Sequence, residues 1–516
     1  MLYLLLVGKV ARWSIGVYRE QVKFEPESHV LDAPSFRRQA LILTAPWIQT
    51  PSDGVESETL DTQTETENLI SALLTDHIGS RASPLLQAST HTAFLTRLLK
   101  SPLPMHFTGL DASRPWLLYW AVHSLALFDG ELDAVAKSRI VDTLKRFQNP
   151  DGGFGGGPGQ LSHLAPTYAS VATLCYIGEE GWKAIDRAGL YRFLLSLKQA
   201  DGSFVMHDGG EVDVRGCYCA LTVAVLLNLL TSELAEGTAD FIASCQTFEG
   251  GLASAAHPFS GDVGSSAPLG EAHGGYTFCS AASWSMLRPF SDPTSPCFAP
   301  GTSTSRDLDV KALFRWAASV QAMPIEGGGF RGRTNKLVDG CYSWWCGGLF
   351  TIISNLLEDE RSTPVSHELY DRHALQQYVI LAAQAPGGGL RDKPGKPADA
   401  YHTCYNLSGQ SSAQHNPHSS PSQRQKLAHD FTSPFRRPIV EADDAGPEMI
   451  LGAGETEEAA EKRMREVWSR ELSWAFDEKD RIVYGDDESN SLQTTHPIFN
   501  ISTDKVRSMM TYFYLQ

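Results

Sequence analysis

The chain has 516 residues, of which 42% are hydrophobic, and its 60 acidic and 43 basic side chains give a formal net charge of -17. The apolar content is ample for a large core, and the negative charge excludes nucleic acid as the main partner. Nine scattered cysteines without framework spacing indicate free thiols in a reducing, cytoplasmic compartment. The opening run MLYLLLVG is too short to span a membrane.

The N-terminal region lacks the periodicity of packed elements. Residues 1–60, with the acid- and Thr-rich run VESETLDTQTETEN (55–68), are interpreted as a mobile arm. Helical segments follow this arm. The clearest is PWLLYWAVHSLALF, which starts at Pro115 and has Asp111 or Ser113 as its candidate N-cap.

Between residues 146 and 410 one pattern occurs five times: a helix ending in Gln, a glycine-rich turn, and a second helix that opens with an aromatic residue. The turns begin at Gln148 (QNPDGGFGG), Gln199 (QADGSF), Gln246 (QTFEGGL), Gln321 (QAMPIEGGGF) and Gln384 (QAPGGGL). Such a repeat predicts helix pairs stacked side by side, because one pair cannot bury its apolar face alone. Second helices such as YCALTVAVLLNLL are apolar nearly all round, whereas first helices such as DVKALFRWAASV are amphipathic. We therefore expect an inner ring of buried helices and an outer ring that meets solvent.

Irregular stretches interrupt the third repeat and follow the fifth. The run near 257–270 and the stretch PFSDPTSPCFAPGTSTS (289–305) are predicted to be surface loops. A charged helix is predicted from Glu455 to Phe476, exposed or in contact with a partner. The predicted domains are an arm at 1–60, the repeat domain at 61–415, an insertion of largely low complexity at 416–490, and a C-terminal segment returning to the repeat domain at 491–516. Deletion of about 420–488 is expected to preserve catalysis, because the ends of a surface excursion lie close together.

Three side chains of metal-ligand type occupy equivalent places in the fourth and fifth repeats. Asp339 and Cys341 lie two apart where a turn enters a helix, and His402 holds the corresponding place one repeat later. Stacked repeats bring equivalent positions together, so a carboxylate, a thiolate and an imidazole can converge. These are zinc ligand types, and three protein ligands leave a fourth position open, as in catalytic sites. The alternative is a chance Asp-x-Cys beside a hydrogen-bonded core histidine.

Basic groups gather near the same repeat ends. They are His273, Arg333, Lys336 and Arg215. In an acidic protein this set predicts a pocket for a compact anion such as diphosphate. For Arg215 the alternative is a structural ion pair with Glu211 or Asp213.

Aromatic side chains recur in the apolar second helices. They are Trp116, Trp120, Tyr168, Tyr218, Tyr276, Trp345 and Tyr405. Each could be an ordinary core residue. Facing the middle of a ring, many of them together would instead line an apolar funnel.

A family resemblance spans about 65 to 415 and resumes near the C-terminus. The strings DASRPWLLYW, GGFGGGPGQLSHLAPTYA, GGEVDVRGCYCA, EAHGGYTFC, GRTNKLVDGCYSWW, LRDKPGKPADAYHTCYNLSG and THPIFNISTDKV resemble the β-subunit family of protein farnesyltransferases. The resemblance implies an all-α fold, an α-α barrel (toroid) that binds a separate α subunit as a heterodimer. It also implies transfer of farnesyl from farnesyl diphosphate to a Cys in a C-terminal Cys-a-a-X motif of proteins.

The family's functional residues map onto this chain motif by motif. The resemblance implies zinc ligands at Asp339, Cys341 and His402, a diphosphate site of His273, Arg333, Lys336 and Tyr342, with Lys336 and Tyr342 also catalytic, and Asp392 as a support for magnesium. It implies an isoprenoid and peptide channel lined by Arg215, Tyr218, Trp120, Tyr276, Trp345, Tyr401 and Tyr405. It places the peptide's last residue against Ser113, Trp116, His163, Ala165 and Pro166.

Three rival functions share parts of this pattern. A geranylgeranyltransferase type I β subunit would have the same fold and zinc but a longer lipid. The resemblance implies that Trp116 and Tyr405 close the funnel to that lipid and that Asp392 stands where such enzymes tend to have Lys. Terpene cyclases need an Asp-x-Asp-Asp motif, which the sequence lacks. A non-catalytic barrel acting as a binding module would have no use for an open Asp/Cys/His site.

Overall fold

A computed structural model describes Thr50 and residues 54–80, 82–258, 266–291, 307–361, 368–434 and 449–515. Its longer helices are α1 Glu58–Ser80, α2 Ala88–Lys100, α3 Arg114–Leu127, α4 Ala134–Lys145, α5 Leu164–Cys175, α6 Arg187–Leu197, α7 Val214–Leu226, α8 Thr238–Ser244, α9 Gly274–Ser291, α10 Val310–Ser319, α11 Leu349–Arg361, α12 Arg372–Tyr378, α13 Ala400–His415, α14 Pro421–Asp430, α15 Glu457–Glu471 and α16 Thr503–Leu515. A π-helical turn, Ser343–Gly348, leads into α11, and another, Val379–Ala383, continues α12. Short helical turns lie at Met105–Ser113, Glu179–Trp182, Ser232–Ala235, Pro324–Glu326, Glu478–Asp480 and Asp487–Asn490.

The repeat helices form two concentric rings. In the inner ring α3 packs on α5, α5 on α7, α7 on α9, α9 on the turn before α11, that turn on α13, and α13 back on α3. Every residue of α7 except Arg215 is buried, whereas α10 in the outer ring buries only Val310, Leu313, Trp316 and Ala317. This is the expected α-α barrel. Among the described residues no helix is both long and apolar enough to cross a bilayer.

The repeated glutamine links one outer helix to the next. Gln148 accepts a hydrogen bond from the backbone N–H of Asp186 at 3.0 Å and donates to the carbonyl of the same residue at 3.2 Å. Asp186 is the N-cap of α6, so the glutamine fixes where that helix begins. The pairs Gln246–Asp309 and Gln321–Asp371 repeat the arrangement. In the second turn Lys198 replaces Gln, and its ammonium donates to the Leu234 carbonyl at 2.8 Å.

Gln384 of the last repeat closes the ring onto its first outer helix. Its amide donates to the Leu85 carbonyl at 3.0 Å and accepts from the backbone N–H of Gln87 at 2.7 Å. It also contacts His91 Nε2 of α2 at 2.8 Å. The repeats therefore form a closed ring rather than an open solenoid.

We expect Gln384→Ala to lower the free energy of unfolding by about 1–3 kcal/mol, because the buried His91 of α2 and the backbone that leads into this helix would lose their hydrogen bonds. Urea unfolding measures the change. Gln87→Ala is the matched control, since only the backbone of Gln87 contacts Gln384. Equal stability of Gln384→Ala and the parent would show that the ring does not depend on this closure.

The acid- and Thr-rich run is predicted from its composition to be a mobile arm, and from Glu58 onwards that prediction is wrong. α1 buries Thr66, Glu67, Ile70 and Leu74, which lie on one face of the helix. Residues 1–49 and 51–53 lie outside the described part of the chain, and for them the mobile arm stays a prediction.

The two predicted surface loops of the third repeat also need correction. The run near 257–270 includes an antiparallel hairpin of β1 Ala255–Pro258 and β2 Ser266–Leu269. The stretch predicted at 289–305 begins inside α9, which continues to Ser291. Residues 292–306 lie outside the described part of the chain.

The helix predicted to be exposed within 416–490 is instead packed on the barrel. α15 buries Ala460, Met464, Val467 and Trp468 and contacts α9, α14 and α16. A short pairing of β3 His418–Ser419 with β4 Trp474–Ala475 ties its far end to the chain that leaves α13. The interpretation of α15 as an exposed helix is therefore wrong, because its apolar residues form a stripe that is buried against the barrel.

The C-terminal segment packs against the inner helices. Three tyrosine hydroxyls of the inner helices donate to three consecutive carbonyls of this segment: Tyr119 to Asn500 at 2.7 Å, Tyr168 to Phe499 at 3.0 Å and Tyr218 to Ile498 at 2.9 Å. Each buried hydroxyl and carbonyl thereby gains a partner. α16 then packs on α7, α5 and α15.

Candidate active site

The inner helices all begin at one end of the ring, and several of the predicted site residues are their caps. Asp213 accepts from the backbone N–H of Arg215, Asp339 from Cys341, Asp399 from His402, His163 from Ala165 and His273 from Gly275. The caps satisfy amides that the helix cannot pair itself. The positive ends of the helix dipoles therefore surround one opening, which favours anions there.

Asp339, Cys341 and His402 come together as the repeat register predicts. One ligand atom from each lies within 4.8 Å of the others, so the three could hold a metal ion. His402 Nε2 lies 3.4 Å from Asp339 Oδ1. The opposite ring nitrogen, Nδ1, lies 2.7 Å from Asp399 Oδ2, and this contact holds Nε2 towards the cluster.

The ionisation of the cluster favours a bound cation. Burial, and then the charge of Asp339, raise the pKa of the Cys341 thiol well above its usual value. Burial works against ionisation of His402, but the hydrogen bonds and charges of Asp339 and Asp399 prevail and raise its pKa to about 10. Burial also opposes the charge of Asp339, whose pKa is nevertheless lowered by His402. A bound metal cation would favour the thiolate form of Cys341 beside this carboxylate.

His273 and Tyr342 form a donor pair beside the metal cluster. His273 Nδ1 accepts from the Gly275 N–H at 3.0 Å, and Nε2 lies 3.0 Å from the Tyr342 hydroxyl. Burial first, and then Arg333 and Arg215, lower the pKa of His273 to about 4, so the ring is neutral. Nε2 therefore carries the proton and donates to Tyr342, whose own O–H remains free to donate to a ligand.

The cationic residues are held by carboxylates. Arg333 Nη1 lies 2.5 Å from Glu271, and Lys336 is exposed on the same loop. Arg215 forms two hydrogen bonds with Asp213, at 2.9 and 2.8 Å. Arg215 therefore forms the structural ion pair with Asp213, and its part in an anion pocket stays a prediction. Its guanidinium also lies over the ring of Tyr276, 5.4 Å from the centroid.

Asp392 lies next to the metal cluster. Its backbone carbonyl accepts from Gly340 N–H at 2.7 Å and from the Tyr378 hydroxyl at 2.6 Å. Lys393 contacts its two carboxylate oxygens at 2.5 and 2.6 Å. Burial, and then the charge of Asp339, raise the pKa of Asp392, and Lys393 only partly offsets them.

Aromatic rings line the inner ring in an unbroken circuit. The centroid distances are Trp116–Trp120 5.6 Å, Trp120–Tyr401 5.5 Å, Tyr401–Tyr405 4.8 Å, Tyr405–Trp345 4.5 Å, Trp345–Phe278 5.5 Å, Phe278–Tyr218 6.0 Å, Tyr218–Tyr168 5.5 Å and Tyr168–Trp116 5.5 Å. Tyr276 lies outside the circuit and contacts His273 at 4.7 Å. Sequence reasoning missed Phe278. The repeat register could have found it, because Tyr168, Tyr218 and Phe278 each stand five residues after a capping residue.

The residues predicted to receive the end of a peptide lie where α3 and α5 begin. Ser113 precedes α3 and Trp116 lies in its first turn, while Ala165 and Pro166 follow the capping His163. His207 was missed, and its ring lies 5.4 Å from that of His163. Burial first, and then the charge of His207, lower the pKa of His163.

Comparison with known proteins places this barrel in a family. Residues 86–501 match the family model of the prenyltransferase alpha-alpha toroid domain. The chain is 38% identical over 451 residues to the protein farnesyltransferase subunit beta of Pyricularia oryzae, which covers 83% of this chain and 74% of that protein. It is 40% identical over 358 residues to the farnesyltransferase subunit beta of Pisum sativum, over 58% of this chain and 78% of that protein. The chain therefore belongs to the protein farnesyltransferase β-subunit family.

Two further comparisons match proteins that are named geranylgeranyl transferases. The identity to the geranylgeranyl transferase type-1 subunit beta of Arabidopsis thaliana is 29% over 353 residues, covering 64% of this chain and 85% of that protein. The solved structure of Candida albicans protein geranylgeranyltransferase-I complexed with GGPP has a TM-score of 0.54 and 18% identity, and covers 83% of this chain and 99% of that chain. At that identity the structure supports the shared fold alone.

Proposed function

We propose that this chain is the catalytic β subunit of a protein farnesyltransferase. Paired with an α subunit, it would transfer farnesyl from farnesyl diphosphate to the Cys thiol of a C-terminal Cys-a-a-X motif. The observation that carries the proposal is the Asp339, Cys341 and His402 cluster beside the aromatic circuit, in which the ring of Tyr401 lies 5.0 Å from that of His402. Family membership and the lower identity to the geranylgeranyl relative support the choice of farnesyl.

The donor set of the cluster fits zinc. Carboxylate oxygen, thiolate sulfur and imidazole nitrogen are its usual ligands, and three of them leave one position for a substrate. Asp339, Cys341 and His402 would hold the ion, and the chemistry that zinc would supply there is a lowered pKa of the substrate thiol, so that a thiolate exists at neutral pH. Asp399 would keep His402 oriented throughout, because it binds both the backbone N–H and Nδ1 of that residue.

The chain's own residues would stabilise the departing diphosphate. As the C–O bond to the allylic carbon breaks, negative charge grows on the diphosphate oxygens. The free O–H of Tyr342 and the cations Arg333 and Lys336 would stabilise that charge, and His273 would hold Tyr342 in place. The aromatic circuit would align the isoprenoid so that its first carbon faces the thiolate, and the product is a thioether.

Asp392 would support magnesium bound to the same diphosphate. Magnesium is commonly held by one or two carboxylates together with substrate phosphates, and Asp392 offers one such carboxylate. Lys393 contacts both of its oxygens and would have to release at least one of them.

The test is co-expression with a matching α subunit, followed by metal analysis and transfer assays. We expect one zinc per β subunit, transfer of farnesyl to a Cys-a-a-X peptide, and stimulation by magnesium. A purified complex that holds no zinc and transfers no lipid would instead support a non-catalytic binding module. Preferred use of geranylgeranyl diphosphate would support the type I geranylgeranyltransferase alternative.

Lipid length gives a sharper test of the same proposal. Trp116 and Tyr405 belong to the aromatic circuit, and bulk at the end of the funnel should exclude a further five-carbon unit by overlap. We expect Trp116→Thr, alone or with Tyr405→Phe, to raise kcat/KM for geranylgeranyl diphosphate relative to farnesyl diphosphate by about 100-fold. Steady-state kinetics with both lipids measure the ratio.

Trp316→Phe serves as the control, because Trp316 is a buried tryptophan of the outer helix α10. Its lipid preference should equal that of the parent. A Trp116→Thr enzyme that still refuses the longer lipid would contradict the size argument.

A further inference from the structure

Two glutamates of the third repeat, Glu249 and Glu271, bind the loop that carries Arg333 and Lys336. Glu249 accepts from the Thr334 hydroxyl at 2.7 Å with one oxygen and from the backbone N–H of Ala272 at 3.2 Å with the other. Glu271 pairs with Arg333 at 2.5 Å. Adjacent residues of one loop are thus held by carboxylates from the neighbouring repeat.

The backbone fixes both ends of this arrangement. The loop is a hairpin in which Arg331 bridges to Val338, and Asn335 at its tip has the left-handed φ of 58°. The carbonyl of Gly332 accepts from the N–H of Gly274 at 2.8 Å, immediately after His273. The hairpin therefore lies against the start of α9, and beyond Gly332 its exposed tip relies on side-chain contacts.

We propose that Glu249 is a positioning residue for the diphosphate end of the site. By joining Thr334 to Ala272, it sets the distance between Arg333 on the hairpin and His273 at the start of α9. This inference rests on the proposed function, since it concerns the anion that Arg333 and His273 would share. Glu249 itself is not one of the three residues of the Asp339, Cys341 and His402 cluster.

A carboxylate beside an anion site also acts in the opposite sense, because its charge repels diphosphate. The two effects can be separated on this chain. Thr334→Val removes the contact and keeps the charge of Glu249, whereas Thr334→Ser keeps both. If positioning dominates, Thr334→Val weakens diphosphate binding; if repulsion dominates, Glu249→Ala strengthens it.

The experiment uses the complex with the α subunit and two probes, farnesyl diphosphate and inorganic diphosphate. We expect Thr334→Val and Glu249→Ala each to raise the Kd for both probes and the KM for farnesyl diphosphate by about tenfold, as befits a hydrogen bond to a charged group. Zinc content, Tm and kcat should stay near the parent values. Thr334→Ser should bind within about twofold of the parent. The double variant Glu249→Ala/Thr334→Val should bind no more weakly than Glu249→Ala alone, because Glu249→Ala already removes the contact that Thr334→Val breaks.

Glu179→Ala is the control, since it breaks only a surface pair with Lys183. Unchanged or tighter diphosphate binding in Thr334→Val and Glu249→Ala would overturn the inference while leaving the proposed function intact. Equal loss of binding in Thr334→Ser and Thr334→Val would also overturn it, because the hydroxyl would then not matter. If the parent complex binds neither probe, the proposed function itself fails.

Discussion

Cys341→Ala and His402→Ala are each expected to lower the rate of farnesyl transfer by at least about 1000-fold, a loss of roughly 4 kcal/mol of transition-state stabilisation. Both residues stand at the beginnings of inner helices, and their ligand atoms face one another in the cluster. Removing either one leaves two protein ligands, so metal affinity falls much more than stability. We expect both variants to keep the α subunit and the helical content of the parent.

Metal analysis, circular dichroism and transfer assays on the purified complex check this result. Cys175→Ala is the matched control, because Cys175 is also a buried free cysteine of an inner helix, at the end of α5 away from the cluster. It should retain zinc and transfer activity. A His402→Ala enzyme with stoichiometric zinc and normal turnover would contradict the assignment of the cluster.

The repeat pattern predicts both the barrel and the approach of Asp339, Cys341 and His402, and for the same reason. Helix pairs of constant period place equivalent residues at one end of the ring, so a carboxylate and a thiol in one repeat meet a histidine in the next. The repeat register, more than the chemistry of Asp339, Cys341 and His402 taken singly, predicts their approach. The same register would have included Phe278 in the aromatic circuit.

The choice between neighbouring partners and the contacts between distant segments could not be predicted in this way. For Arg215 the sequence offered two nearby carboxylates, and only the cap geometry of α7 selects Asp213, which binds the backbone and the guanidinium of the same residue. α1 has a composition typical of disorder, and its burial depends on partners far along the chain. Gln63, for example, donates to the buried Glu326 at 3.1 Å.

The segment 416–490 shows how composition can mislead. Its many charged residues suggested a solvated helix, yet Ala460, Met464, Val467 and Trp468 have the spacing of an apolar helical stripe. Some of the charged side chains of α15 also bind the barrel. Arg463 is 3% exposed, pairs with Glu455 at 2.7 Å and donates to the carbonyl of Leu230 at 3.0 Å in the barrel.

We therefore expect deletion of 421–488 to prevent folding, contrary to the prediction made from composition. A graded test avoids an unfolded product: Trp468→Ala in the complex with the α subunit should lower the free energy of unfolding by about 3–5 kcal/mol. Trp468 is 5% exposed and packs on Phe431, at 5.7 Å between ring centroids. Urea unfolding measures the loss.

Glu458→Ala is the matched control on the same helix. The side chain of Glu458 is 81% exposed and forms a surface ion pair with Lys462. It should change stability by no more than about 0.5 kcal/mol. The two variants separate the two interpretations of α15. A helix that packs as part of the barrel loses stability through Trp468 and little through Glu458, whereas a solvated excursion would tolerate both changes equally. If Trp468→Ala were as stable as the parent, and if the deletion still folded and transferred farnesyl, the contacts of α15 with α9 and α16 would contribute nothing to the stability of the barrel.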